Sequence, residues 1–407
     1  MFIHKNIYTF AVVNNQTLSM NLYRLTILAF TAFVSVAIHG QLFTPLGLGI
    51  EKSERGEFRP QMHIEGDILY VCTSRGLYSK DLSSKESAWQ LVGFKDIPLQ
   101  DYVRRGDDIL ALRFNVNGDF LLLSHDGGKT YEDITPDVFR EHTGWKEVLT
   151  NLVQHPTDPN TLLVSSVPMG LFQSLDFGQT WCQLTDIIPR FIGYHPLKPE
   201  VIYESGEDDT MSPFLNLSYD GGKTWNSLWL PFPGDNCVHR IAFHPSDPNR
   251  WIVGGEGAVY TSMDNGHTWD AQNYWGDKRE AYWYYTVFDN ENNDIVYMVG
   301  RSKGKIDVMF SVDGGKTWSI PHAEPTKKPE IEYVDDLQQY GDKLLIYPET
   351  DVYEISKAKL LAQATSVRNI SDTTIVRTSF FSLSGHRLIT PPTRKGIYIR
   401  DGKKVVK

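Results

Sequence analysis

Cysteine is scarce in this chain, with Cys72, Cys182 and Cys237 the full set in 407 residues. An odd count without metal-ligand spacing excludes a disulfide framework and a cysteine metal site. One bridge is the most the chain can form, and buried free thiols fit better. Basic charge is in deficit: 40 Lys and Arg against 50 Asp and Glu leave a net charge of −10. That balance argues against nucleic acid as the main partner. The apolar run from Leu25 to Ala37 is too short to span a membrane. Helix-period patterning is nearly absent, which removes helical bundles from consideration. What the chain does have is aromatic side chains, 12% of residues, and repetition.

One stretch recurs: Ser218-Tyr219-Asp220-Gly221-Gly222-Lys223-Thr224-Trp225. Copies begin at Ser124, Ser174, Ser262 and Ser311, with the pattern S-x-D-x-G-x-T-W and Tyr131 in place of Trp in the first. Each residue type has a reason. A short Asp (Asp126, Asp176, Asp220, Asp264, Asp313) accepts hydrogen bonds from backbone N–H groups two residues on and closes a turn. Gly accepts positive φ. Thr re-enters a strand, and the aromatic residue anchors it between sheets. These Asp residues are therefore structural. The turns lack the several carboxylates and closing Glu of an EF-hand calcium loop. No motif calls for a metal or cofactor.

The five serines are spaced 50, 44, 44 and 49 residues apart. Degenerate copies at Ser79 and Ser356 extend the series to seven units, each the size of a four-stranded blade. Within a unit, an apolar strand ends in a turn such as His155-Pro156, His195-Pro196 or His244-Pro245, and these histidines read as structural. The repeated stretches resemble the Asp-box, or BNR, repeats of sialidases, sortilin-type receptors, xyloglucanases and plant photosystem assembly factors. The resemblance implies a β-propeller. The expectation is an all-β chain: a seven-bladed propeller over residues 41–361, with a small C-terminal β-module. Residues 41–54 are expected to add a strand that closes the ring.

The two ends carry their own signals. Arg24, the apolar run to Ala37 and small residues before Gln41 read as an export signal over 1–40, with Met20 its probable true start. After signal removal no transmembrane anchor is expected. Residues 362–407 alternate around Gly385 and a final Asp401-Gly402 hairpin. This tail resembles the sorting domain of type IX secretion substrates in Bacteroidetes-like bacteria. That resemblance implies the secretion machinery as a partner, and an extracellular or outer-surface location.

Blade grammar puts the His-Pro turns and the repeated Asp-Gly turns on one face. The second-to-third strand links and the blade-to-blade links fall on the other face, where a ligand site is expected. Arginines recur there: Arg59, Arg104 or Arg105, Arg190, Arg240 and Arg279 at first strands, and Arg75, Arg113 and Arg301 in links. Guanidinium binds carboxylates in bidentate fashion. With Trp275 and Trp283, the set suits an anionic saccharide. A sialidase-like hydrolase, as the resemblance implies, needs a Tyr–Glu pair beside the arginines. Tyr333 or Tyr340 with Glu204, Glu207 or Asp208 are the candidates. Phe58-Arg59-Pro60 resembles that family's F-R-I-P motif without the Ile. The stretch matching the xyloglucanase catalytic Asp, Cys72 to Tyr78, holds no carboxylate. The leading expectation is a secreted propeller that binds a glycan or other extracellular ligand on its arginine-bearing face. A glycoside hydrolase and a protein-binding assembly propeller are the alternatives.

Overall fold

A computed structural model describes residues 42–50, 59–114, 118–141, 149–167, 169–207, 212–228, 237–255, 257–273, 281–302, 305–319, 334–348 and 350–362. It also describes four short tail segments, 380–381, 387–388, 397–400 and 403–406. The export-signal region, Asp208, Trp275, Arg279 and Tyr333 lie outside the described residues.

The main body is a seven-bladed β-propeller of antiparallel sheets. Blades 1 to 5 are four-stranded and follow the chain in order, starting at Met62, Leu99, Leu149, Phe191 and Val238. Blade 6 has three strands, from Ala281 to Ser311, and an isolated bridge from Phe310 to Ser319 where a fourth would run. Blade 7 takes three strands from Asp336–Tyr340, Lys343–Tyr347 and Tyr353–Ser356. Its outer strand is Phe43–Pro45, which pairs antiparallel with Tyr353–Ile355. The N-terminal strand thus closes the ring.

No single core exists. Seven hydrophobic clusters fill the seven wedges between neighbouring blades. Blades 2 and 3, for example, share Leu110, Leu112, Leu123, Leu162, Val164 and Phe172. Strand alternation explains this: in each middle strand successive side chains leave on opposite faces, and both faces meet a neighbouring sheet. Leu162–Ser166, Trp251–Gly255 and Leu121–Ser124 are accordingly buried throughout.

The repeated turn is built identically five times. Its Ser Oγ accepts from the Gly N–H four residues on, at 2.7 Å for Gly128 and 2.8 Å for Gly178, Gly222 and Gly315. The Asp takes the Thr N–H and the Thr hydroxyl, 2.8 and 2.7 Å in the Asp220 copy. Its main backbone donor is thus four residues on. That shift follows from two successive positive φ values, 74° and 91° at Gly221 and Gly222, which carry the chain round before Thr. At the second of these positions a Cβ would meet the preceding blade, Leu184 Cδ1 lying 2.7 Å from it at Gly222. Turn and inter-blade packing therefore need the same glycine.

The His-Pro turns are closed by the imidazole. His155, His195 and His244 each accept at Nδ1 from the N–H groups two and three residues on, at 2.9–3.3 Å. In blade 6 the carboxylate of Asp289 does the same for Glu291 and Asn292, both at 2.9 Å. None of the three cysteines is in a disulfide; Cys72 and Cys237 are buried and Cys182 is exposed. The tail segments pair into a separate four-stranded sheet. Among the described residues no helix is long and apolar enough to cross a membrane.

Candidate functional site

The first strand of each blade lines the central channel, as its residues on two cavities show. All seven first strands begin at the same face, called upper here, and the repeated Asp-Gly turns lie on the lower face. The first strands begin irregularly. Pairing shifts register between Leu99 and Asp101, Leu149 and Asn151, Val238 and Ile241, and Trp283 and Tyr285. A bulge turns extra side chains toward the channel. Gln100 and Asn151 at two of these bulges, with Ser205 of a second strand and Gln61 just before a first strand, stitch neighbouring blades together. Gln100 Nε2 donates to the Thr150 carbonyl at 2.5 Å and Asn151 Nδ2 to the Arg190 carbonyl at 2.9 Å. Ser205 Oγ donates to the His239 carbonyl at 3.1 Å, and Gln61 Nε2 to the Asp335 carbonyl at 2.9 Å.

Arg240 crosses the channel. From blade 5 its Nη2 donates to Gln61 Oε1 of blade 1 at 2.7 Å, and its Nη1 lies 3.8 Å from Asp336 of blade 7. Its guanidinium also lies 5.4 Å from the Tyr285 ring centroid. With Gln61 and Asp336 it separates an upper mouth cavity of about 320 Å³ from a lower chamber of about 750 Å³.

The mouth cavity gathers Arg59 of blade 1, Arg190 and Glu207 of blade 4, His239 of blade 5, Tyr282, Tyr284 and Arg301 of blade 6, and Asp335 of blade 7. Arg59 is exposed. Arg190 pairs with Glu207 and stays 48% exposed. Tyr282 and Tyr284 sit two apart on one strand, so their rings lie parallel, 10° between planes and 6.3 Å between centroids. Arg301 lies 5.8 Å from the Tyr282 ring centroid.

The lower chamber holds a His63–Asp101 pair at 2.7 Å. Burial opposes charge on the His63 ring, yet Asp101, with help from Asp336, raises its pKa overall. Nearby Tyr102 Oη donates to Glu65 at 2.9 Å, and Arg104 to the same carboxylate at 2.7 Å. Burial first, then Glu65, pushes the Tyr102 hydroxyl far above the ordinary range, so it stays a phenol. Among the described residues no cluster of His, Cys, Asp and Glu could hold a metal ion.

The sequence-derived site residues divide sharply. Arg59, Arg190, Glu207 and Arg301 come together at the mouth. Arg240 is committed to Gln61, Asp336 and Tyr285. Arg104 belongs to the opposite end: its strand runs from Leu99 to Arg105, so it sits beside the hairpin at Gly106. Arg105 pairs with Asp108 and Asn160 there. Arg75 is a solvated rim residue, 61% exposed and 3.9 Å from Asp96. Arg113 pairs with Asp119.

Trp283 does not line the mouth. It is 1% exposed and packs with Ile252, Val259 and Met298 between blades 5 and 6, because its neighbours Tyr282 and Tyr284 take the mouth side of the strand. Glu204 is fully buried, accepting from Asn216 and Thr185 at 2.8 Å each, and does not line the mouth. Tyr340 donates to Asp67 at 2.8 Å at the end of its strand, on the lower side. Sequence reasoning passed over His239, Tyr284, Gln61, Asp335 and Asp336. Each sits at a first-strand start beside a residue it did name, or in a bulge that alternation does not register.

No protein-family model matches the chain, and no curated protein matches it. Solved structures do match. The GH74 xyloglucanase from Xanthomonas campestris superposes with a TM-score of 0.53 at 16% identity, over 71% of this chain and 50% of that one. A YCF48 structure with bound D1 peptide gives 0.51 at 15%, over 74% and 94%. The extracellular domain of a putative one component system from B. thetaiotaomicron gives 0.53 at 10%, over 77% and 40%. The likeness is one of fold. The chain spans about half the length of the xyloglucanase chain. Neighbours of this fold include a xyloglucanase, a peptide-bound YCF48 and the extracellular domain of a one component system, so the scaffold alone does not select an activity.

Proposed function

We propose that this chain is an exported propeller that binds an anionic saccharide at its upper mouth. The observation that carries the reading is convergence. Arg59, Arg190 and Arg301 come from blades 1, 4 and 6, far apart in sequence, and line one cavity with the parallel rings of Tyr282 and Tyr284. Guanidinium groups hold a carboxylate in bidentate fashion. Flat aromatic faces suit the apolar face of a sugar ring. The export-signal reading and the sorting-tail resemblance put the protein where such ligands are met.

The test is a glycan array with sialylated, uronate-containing and xyloglucan ligands, run on the full-length protein with product analysis. Acidic glycans are expected to bind, with Arg59→Ala and Arg301→Ala each weakening the best of them about tenfold or more, the scale of a lost charged hydrogen bond. Binding that ignores both substitutions overturns the site.

Glycoside hydrolysis is the second reading, favoured by two carboxyl groups, Glu207 and Asp335, on the same cavity. New reducing ends or released sugar acid in the product analysis would establish it. Binding of a protein ligand and no glycan would instead favour an assembly role.

A further inference from the structure

His239 is the second residue of the first strand of blade 5, Val238–Phe243. It lines the mouth cavity and is 6% exposed. Its ring stands edge-on to Phe191, at 5.2 Å and 64°, and to Tyr284, at 5.0 Å and 84°. Among the described residues neither ring nitrogen has a hydrogen-bond partner, although both are buried. Unpaired buried polar atoms are costly, and two on one ring is an unusual thing for a protein to keep.

Charging the ring is no way out. Burial, then Arg59, then Arg190 push its pKa down to about 3. The charged groups around it come from four other blades: Arg59 of blade 1, Arg190 and Glu207 of blade 4, Arg301 of blade 6 and Asp335 of blade 7. Cys237 precedes it on its own segment, and Tyr282, Tyr284 and Tyr285 face it from blade 6. A neutral imidazole has one N–H donor and one acceptor nitrogen.

We propose that His239 is the specificity-determining contact of the mouth, donating to the carboxylate of a uronic-acid sugar and accepting from a neighbouring sugar hydroxyl. The proposal rests on the mouth being an anionic saccharide site. Arginine donates and never accepts. Arginines alone therefore hold the anion but cannot accept a hydrogen bond from the hydroxyls beside it. His239 adds an uncharged acceptor, which, unlike the carboxylates of Glu207 and Asp335 on the same cavity, does not repel the anion it sits beside. Both nitrogens are shielded from solvent in the unliganded protein, so binding includes a side-chain rearrangement, and half-exposed Arg190 is the neighbour with room to move.

The experiment is calorimetry on the full-length protein with a glucuronate oligosaccharide and with cyclohexanecarboxylate, which has the anion without hydroxyls. Wild type is expected to prefer glucuronate by about tenfold or more, the scale of one or two hydrogen bonds. His239→Phe should erase that preference, and His239→Gln, which keeps a donor and an acceptor, should restore part of it. Affinity should stay flat between about pH 5.5 and 8, because a neutral ring does not titrate there. Glucuronate binding that falls with Arg59→Ala but is indifferent to both His239 variants overturns this proposal and leaves the mouth reading standing. Affinity that climbs steeply on acidification overturns it too, since an imidazolium would then be the contact. Failure of wild type to bind glucuronate at all overturns this proposal, and the mouth reading falls with it only if no acidic glycan binds either.

Discussion

At the residue scale, the informative side chains are those whose surroundings contradict their chemistry. Glu204 is a carboxyl with no exposure, held by Asn216 and Thr185. Burial outweighs those two hydrogen bonds, and Asp186 adds to it, so its pKa is pushed up to about 7. The folded value lies above the unfolded one, so the fold favours the protonated acid. That contribution is fully present below about pH 4.5 and is lost as pH rises toward 7. Glu204→Gln keeps the shape and both contacts without a charge to bury. It should stabilise the protein at pH 8 by something on the order of 3 kcal/mol and change little at pH 4.5. Urea midpoints at the two values measure it, and a variant with the parent's pH dependence would sink the account. In the sequence, Glu204 and Glu207 look alike, two carboxylates three residues apart on a strand. They leave on opposite faces, one into the wedge between blades 3 and 4 and one into the mouth. Alternation states that much; which face holds the opening depends on the ring.

At the element scale, the repeated turn was legible in its place and its residues, though not in which backbone N–H the Asp takes. Five copies fold alike because the Ser and Asp hydrogen bonds that close the turn are made within one eight-residue stretch, while one backbone bond, such as Gly221 N–H to the Glu200 carbonyl at 2.9 Å, ties each turn to the first hairpin of its own blade. The anchoring aromatic residues were less so. All four Trp indoles donate back to a glycine carbonyl of their own turn, at 3.0–3.1 Å. Yet Trp318 is 1% exposed, Trp181, Trp225 and Trp269 are partly buried, and Tyr131 is 42% exposed. Depth depends on the neighbouring blade, which the motif does not encode. Trp318→Ala should therefore cost about 3–5 kcal/mol. Trp225→Ala should cost roughly half that, in proportion to the area it buries. Denaturant midpoints decide it, and equal losses at the two positions would mean that the turn, and not the wedge, carries the energy.

At the scale of the whole molecule, the ring is closed by contact between distant parts of the chain. Phe43 pairs with Ile355, Leu46 N–H with the Val352 carbonyl at 2.7 Å, and Trp89 Nε1 with the Leu46 carbonyl at 3.0 Å. Phe43 and Leu48 are buried in the wedges on either side of blade 7. Deleting residues 42–50 should cost about 5 kcal/mol, from the burial of two or three apolar side chains. It also bares the edge of Tyr353–Ser356, an invitation to self-association. Chemical denaturation with light scattering measures both, and an unchanged, monodisperse deletion would show that blade 7 stands without its outer strand. Truncation after Leu361 tests the proposed sorting tail separately. The truncated protein should fold and remain in the periplasm, and normal surface delivery would remove the tail's proposed role.

The sequence by itself determined the all-β class, the seven units, their turns and the closing strand, because each rests on local chemistry or on a repeat that can be counted. It also told the two faces of the ring apart, since blade grammar orders the strand ends. Only the tertiary structure decided which arginines meet. Arg59, Arg190 and Arg301 share a cavity while Arg104 faces the other end and Arg240 spans the channel. His239 and Tyr284 join the mouth through bulged first strands, a detail that no period-2 reading registers. A propeller's channel is lined by one strand from each blade, so its chemistry is set by ring geometry among residues more than a hundred positions apart.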